Sequence, residues 1–275
     1  MENKKIRYKA IFCDLDGTLL YDPKTISDYT KKVIKEYVAR GGIFIINTGR
    51  MDMSSRKFAE ELGIISQPVS VISLQGSMIM NDGGKIINGA TIDNATAIKI
   101  VKLLEEKGVY VQAYDNDSVL VKEFEEISLN YKNTCNVNLK VVGKVSTYLE
   151  QTGVDVFKIL SVIPATQSQA YQKEFDEIGI DGVNHFMASS TYFEFVSKSA
   201  GKEKGMEKAC EMLGISLSEV MAFGDNGNDV DMIKNAGFGV AVANAREEVK
   251  KVALYVCESN KDDGVAKTIE KFCFL

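Results

Sequence analysis

The sequence predicts an α/β fold, with a doubly wound parallel-sheet core interrupted by a smaller inserted α+β domain. Three observations predict it. Short apolar runs alternate with amphipathic helical stretches at both ends of the chain, as in sheets covered by helices on both faces. Three of those runs end in clusters of Asp, Asn, Thr and Gly, and ligands bind outside the carboxyl ends of strands in open parallel sheets. From about residue 82 to about residue 190 the strand-like runs alternate apolar and polar residues, as a half-exposed antiparallel sheet does.

The first strand is "KAIFC". In the stretch after it, "SDYTKKVIKEYVARGG", Tyr29, Val33, Ile34, Tyr37 and Val38 fall on one helical face, with Ser27 as N-cap and Gly41 as the stop. The apolar runs "IFII" and "VSVISL" flank a helix near "SSRKFAEELG". In the insertion, "YVQAYD", "SVLV", "LKVVG", "VFKILSVI" and "VNHFMA" read as strands, and "NATAIKIVKLLEEKG" and "QSQAYQKEFDEIG" as helices. The βα alternation then returns with the helix "KEKGMEKACEMLG", the strand "EVMAF" and a helix near "DVDMIKNAG". It continues through "GVAV", a helix near "AREEVKKVA", "YVCE" and a last helix, "DGVAKTIEKFC". This places the core at 1–82 and 190–275 and the insertion at 83–189, with Gly83 and Gly84 free to hinge one crossing.

Composition narrows the function. The 275 residues are 45% hydrophobic, enough for a sizeable core in one domain or two. The net charge of -5, with no basic run beyond "ENKKIRYK", disfavours a nucleic-acid partner. No stretch approaches the roughly 18 apolar residues of a membrane span or matches a secretory signal. Cys13, Cys135, Cys210, Cys257 and Cys273 are scattered without a C-x-x-C pair, so neither a disulfide framework nor a zinc site is indicated. The expectation is a cytoplasmic protein, monomeric or weakly homo-oligomeric.

The chemistry gathers at three strand ends. "AIFC" runs into Asp14-Leu15-Asp16-Gly17-Thr18, "IFII" into Asn47-Thr48-Gly49-Arg50, and "VMAF" into Gly224-Asp225-Asn226-Gly227-Asn228-Asp229. One sheet edge then holds Asp14, Asp16, Asp225 and Asp229, whose mutual repulsion invites a hard, oxygen-liganded cation, most simply Mg²⁺. The Thr48 hydroxyl and loop N–H groups around Gly17 and Gly49 can hold phosphate oxygens.

Blander readings fail in combination. D-G-T is good turn chemistry by itself. "DNGNDVD" is not an EF-hand loop, because Val230 and Ala236 stand where its Gly and Glu belong. There is no P-loop, and "GFGVAV" lacks the third glycine of a dinucleotide fingerprint. The single histidine, His185, lies in the insertion and reads as a surface or packing residue. Cys13 alternates away from Asp14 and reads as core.

The ordered set D-x-D-G-T, T-G-R, a helix-opening Lys and G-D-x-x-N-D resembles the haloacid dehalogenase (HAD) superfamily of phosphohydrolases. Within it the chain is similar to the Cof-type phosphatases, which carry an α/β cap between the second and third motifs. The resemblance covers essentially the whole chain and implies a HAD-like, Rossmann-like core. It implies Asp14 as nucleophile, Asp16 as general acid/base, and Thr48, Gly49, Asn228 and Arg50 toward the phosphate or the rest of the substrate. Arg50 fits a surface ion pair equally well. It also implies a Mg²⁺ site drawn from Asp14, Asp16 (through its carbonyl) and Asp225, with Asp229 near the metal waters and the lysine. Either Lys202 or Lys204 of "SAGKEKG" can be that lysine. Lys204 has the Lys-Gly match, whereas helix register favours Lys202. Relatives often have Asn-Gly after the third strand. Gln75-Gly76 stands there in this chain, and the longer side chain is given no role. The implied activity is hydrolysis of a small phosphorylated metabolite, a sugar phosphate or a cofactor- or nucleotide-derived phosphate. A sugar phosphomutase and a catalytically silent phosphate-sugar sensor are the rivals.

Overall fold

The computed structural model describes residues 6–22, 25–81 and 85–275. Gly83, Gly84 and most of the basic start lie outside them. The chain divides into two compact units, Met1–Asn88 with Gly201–Leu275, and Gly89–Ala200.

In the first unit the strands are β1 (Ala10–Cys13), β2 (Ile43–Asn47), β3 (Val71–Ser73), β4 (Met78–Met80) and β5 (Ile86–Gly89). In the second they are β6 (Tyr110–Tyr114), β7 (Val119–Val121), β8 (Leu139–Val141), β9 (Lys158–Val162), β10 (Val183–Met187) and β11 (Tyr192–Ser197). The first unit resumes with β12 (Val220–Gly224), β13 (Phe238–Val242) and β14 (Tyr255–Cys257). Its sheet has the order β14-β13-β12-β1-β2-β3-β4-β5. The pairs from β14 to β3 are parallel, and β4 returns antiparallel on β3. The strands on one side of β1 follow it directly in sequence, and those on the other come after the insertion. The order therefore reverses at β1, where a doubly wound sheet opens a crevice.

The helices of this unit are α1 (Asp28–Ala39) and α2 (Asp52–Leu62) before the insertion. The insertion contributes α3 (Asn94–Glu106), α4 (Glu126–Cys135), α5 (Val145–Thr152) and α6 (Ser168–Ile178). After it come α7 (Lys202–Leu213), α8 (Val230–Asn235), α9 (Glu247–Val252) and α10 (Gly264–Phe272). Ser27 caps α1 as expected, its hydroxyl accepting from Thr30 N–H at 3.0 Å, and Gly41 follows the helix at φ +92°. On one sheet face Ala10, Phe12 and Ile45 pack with Met206 and Ala209 of α7 and Met232 of α8. This packing carries α7 to the sheet beside β2 and β3.

The insertion's sheet runs β10-β11-β9-β6-β7-β8, antiparallel throughout except for the parallel β7–β8 edge pair. One face buries Ala113, Ile159, Phe193 and Phe195 against α3, α5 and α6. The opposite face carries a buried ion pair, Lys158 Nζ to Glu194 Oε1 at 2.8 Å. The His185 ring packs among Phe175, Phe193 and Phe195, with Nε2 at 2.9 Å from Asp176.

The observed division differs from the expected boundaries at both crossings. "YFEFVSK" (192–198), which the boundary at 190 puts in the core, is β11 and pairs between β9 and β10 of the insertion. Strands β4 and β5 extend the core sheet past "VSVISL", through a turn that local periodicity does not reveal. The sequence pattern does not mark helices α4 and α5 either, because Ser, Asn and Thr, weak helix formers, dilute their apolar pattern.

Candidate active site

Strand order assembles the site. Cys13 is level with Ile46 of β2 on one side and Phe223 of β12 on the other. The residues that follow, Asp14, Asn47-Thr48 and Gly224-Asp225, therefore emerge side by side although they are far apart in sequence.

Beyond β1 the chain makes a wide turn. Leu19 N–H donates to Asp14 O (3.2 Å) and Leu20 N–H to Leu15 O (2.9 Å). Gly17 sits at φ +80°, and a Cβ there would lie 2.5 Å from Asp225 Oδ2, so both conformation and space call for glycine. The Thr18 hydroxyl donates to Asp225 Oδ1 at 3.0 Å and fixes that carboxylate.

At the centre is Lys202, the first residue of α7. Its Nζ lies 2.5 Å from Asp14 Oδ1 and 2.6 Å from Asp229 Oδ1, in nearly complete burial. Lys204 is exposed, so helix register places Lys202, and not Lys204, at the carboxylates. Asn47, wholly buried, donates its Nδ2 to Lys202 O at 2.8 Å and ties β2 to the start of α7. Asp229 is fully engaged, since its Oδ2 accepts from the N–H groups of Asp225 and Asn226, both at 3.0 Å.

Oxygens of Asp14, Asp225 and Asp229 all lie within 4.8 Å of one another, close enough to share a metal ion. Three carboxylates face one ammonium there. Burial, with Asp229 and Asp225 adding to it, raises the Asp14 carboxyl well above the usual range against the pull of Lys202. Burial and then Asp229 push Asp225 up to about 6. For Lys202, burial favours the neutral form, but Asp14 and Asp229 outweigh it and hold the ammonium charged. This excess of negative charge and the all-oxygen donor set fit a hard divalent cation.

Asp16 stands apart, half exposed, its carboxylate forked by Arg50 (Nε–Oδ2 2.7 Å, Nη2–Oδ1 2.5 Å). Arg50, expected at the substrate or in an ion pair, is engaged with the second motif aspartate. Thr48 is buried, and its Oγ1 accepts from Arg50 N–H at 3.2 Å, which leaves the hydroxyl proton for another acceptor. Gly49 lies under the Gln75 side chain, and exposed Asn228 donates its Nδ2 to Gln75 Oε1 at 2.9 Å.

The sequence reading missed Thr18, Asn47 and Gln75. Thr18 was readable as the last residue of D-G-T. Asn47 carried a weaker signal, a carboxamide closing an apolar strand. Gln75 carried one signal, an amide where relatives often have Asn-Gly, but its partners come from two other loops.

A family model described as haloacid dehalogenase-like hydrolase matches residues 11–269. A Bacillus subtilis protein named 5-amino-6-(5-phospho-D-ribitylamino)uracil phosphatase YcsE is 28% identical over 269 residues, covering 98% of this chain and 97% of its own. A crystal structure of a haloacid dehalogenase-like hydrolase from Bacteroides thetaiotaomicron superposes with a TM-score of 0.86 at 26% identity, covering 96% of this chain and 99% of that one. An Arabidopsis thaliana protein named as the chloroplastic endoribonuclease YBEY is 27% identical over 278 residues; the match takes in 98% of this chain, which spans 47% of that protein's length.

Proposed function

The chain belongs to the haloacid dehalogenase-like hydrolases, and from that premise we propose that it is a Mg²⁺-dependent phosphatase acting on a small phosphorylated metabolite through an aspartyl-phosphate on Asp14. The carrying observation is the cluster of Asp14, Asp225 and Asp229 around Lys202 at the reversal point of the sheet. Asp14 attacks phosphorus in line. Asp16 protonates the leaving alkoxide and then takes a proton from the water that cleaves the acyl phosphate. Lys202 holds Asp14 in place and offsets charge on the phosphoryl oxygens, with the Thr48 hydroxyl donating to one of them. The fork on Asp16 supports Arg50 as its positioning residue. Asp14 and Asp225 would hold the Mg²⁺, which supplies further charge neutralisation on the phosphoryl group. Asp229, with both oxygens engaged, supports the site through Lys202 and the Asp225 loop.

All the residues assigned to phosphate, metal or leaving oxygen lie in the first unit, so we assign the choice of leaving group to the inserted unit, as a cap. The relative named 5-amino-6-(5-phospho-D-ribitylamino)uracil phosphatase supports a ribityl, sugar-like alcohol as that leaving group. The test is phosphate release from a panel of phosphorylated metabolites, ranked by kcat/KM. The expected result is release from several, with substitutions in 89–200 reordering the ranking and substitutions at Asp14 lowering every member alike. An isomeric sugar phosphate as product would identify a mutase, and binding without phosphate release a sensor.

Metal binding has a predictable pH dependence. In the metal-free protein Asp225 keeps its proton up to about pH 6. A carboxylate must lose that proton to coordinate a cation, so binding weakens as pH falls through this value. Mg²⁺ should raise Tm clearly at pH 7.5 and little at pH 5. An equal shift at both would contradict the assignment of Asp225.

A further inference from the structure

The turn between β3 and β4 holds a side chain that the proposed reaction does not yet use. Leu74, Gln75 and Gly76 follow one another at φ 50°, 59° and 83°, a conformation that leucine and glutamine seldom adopt. The neighbouring loop holds them there, with Gln75 N–H donating to Thr48 O (3.1 Å) and Leu74 N–H to Arg50 O (2.9 Å). Gln75 is only 7% exposed. Its Oε1 accepts from Asn228 Nδ2 at 2.9 Å. A Cβ on Gly49 would lie 2.6 Å from its Nε2, so the amide nitrogen rests directly on the Gly49 backbone. Among the described residues nothing accepts a hydrogen bond from that Nε2. That nitrogen is open to solvent, so its N–H groups can be given to an anion that enters the site.

We infer that Gln75 is a phosphate-binding residue, its Nε2 donating to a phosphoryl oxygen in a cradle with the Thr48 hydroxyl and the Gly49 loop, and that Asn228 fixes which end of the amide faces the anion. The inference rests on the phosphatase reading of the same site, because the residues the Gln75 side chain touches, Gly49 and Asn228, are ones the family resemblance implies toward the phosphate. An anion selects this orientation, since the flipped amide would set Oε1 against a phosphoryl oxygen, acceptor against acceptor.

Gln75→Glu tests it, since it keeps shape and an oxygen for Asn228 while replacing the donor with a carboxylate. The probe is inorganic phosphate, its Kd measured by calorimetry in saturating Mg²⁺, with variant and wild type compared at each pH. At pH 7.5 the variant should bind phosphate at least roughly tenfold more weakly, a loss of about 1.4 kcal/mol. The ratio should return toward one as pH falls and the glutamic acid regains a proton to donate. Gln75→Met should weaken binding less and by the same factor at every pH. Wild-type affinity in Gln75→Glu at pH 7.5, or a loss that does not recover in acid, would overturn the inference. The two readings separate cleanly: a wild type that binds phosphate but hydrolyses nothing fails the phosphatase reading alone, and an active enzyme indifferent to Gln75→Glu fails this one alone.

Discussion

Asp14→Asn is expected to abolish turnover of p-nitrophenyl phosphate in Mg²⁺, lowering kcat by roughly three orders of magnitude or more, as loss of a covalent nucleophile does. The amide has the same shape, and its oxygen can still accept from Lys202 Nζ, which lies 2.5 Å from Asp14 Oδ1. Structure and chemistry therefore separate. In the metal-free protein the Asp14 carboxyl is raised well above its ordinary value, chiefly by burial. A raised carboxyl adds stability below the unfolded value of about 4 and loses it as pH climbs through the folded one. At pH 7 its ionisation therefore costs stability, and the neutral amide removes that cost. The variant should melt at or above the wild-type Tm in chelator at pH 7 while being inactive. Near wild-type turnover would sink the nucleophile assignment. A large fall in Tm would leave the activity loss uninterpretable and shift the test to acid-quench trapping of phosphate on the wild-type Asp14.

Lys202→Met is expected to have the largest effect on stability. Lys202 is the cation between Asp14 and Asp229, and all three side chains are nearly or wholly out of water. Removing one partner of such a buried cluster costs about 3–5 kcal/mol, because the remaining charges lose their compensation. The methionine fills much of the same volume, so the loss reports charge more than cavity. The deficit should be greatest near pH 8 and shrink in acid, where Asp14 takes up a proton, and Mg²⁺ should recover part of it. Denaturant unfolding at pH 5 and pH 8 measures this directly. A loss below about 1 kcal/mol at pH 8 would mean the cluster is not held by its charge. Lys204→Met, on the exposed side of α7, should change stability by no more than roughly 0.5 kcal/mol.

Much of the site was legible because its residues follow strand ends, and in a parallel sheet strand ends meet by construction. Asp14, Thr48 and Asp225 each close an apolar run, so strand order alone makes them neighbours. The insertion was legible in outline as a change of period, since a sheet with one polar face alternates and a doubly covered one does not. Its far boundary was not. "YFEFVSK" places Phe193 and Phe195 in an apolar core and Glu194 on the other face in an ion pair with Lys158, a pattern that fits either sheet until its pairing is known.

By itself, then, the sequence determined the fold class, the order of the motifs and three of the four acids it placed together, Asp14, Asp225 and Asp229, because these follow from periodicity and from where strands end; Asp16 turns instead to Arg50. Only the tertiary structure decided among side chains that are equivalent locally. Lys202 and Lys204 sit two residues apart, yet helix packing puts one on Asp14 and Asp229 and leaves the other exposed. Asp225 and Asp229 are both motif aspartates, yet two backbone N–H groups and Lys202 occupy Asp229 while Thr18 leaves an oxygen of Asp225 available. Gln75 acquires its place only when Gly49 and Asn228 arrive from distant loops. Apart from the two nearby N–H groups on Asp229, the deciding partners are remote in sequence, and the burial that makes the interactions strong exists only once the chain has folded.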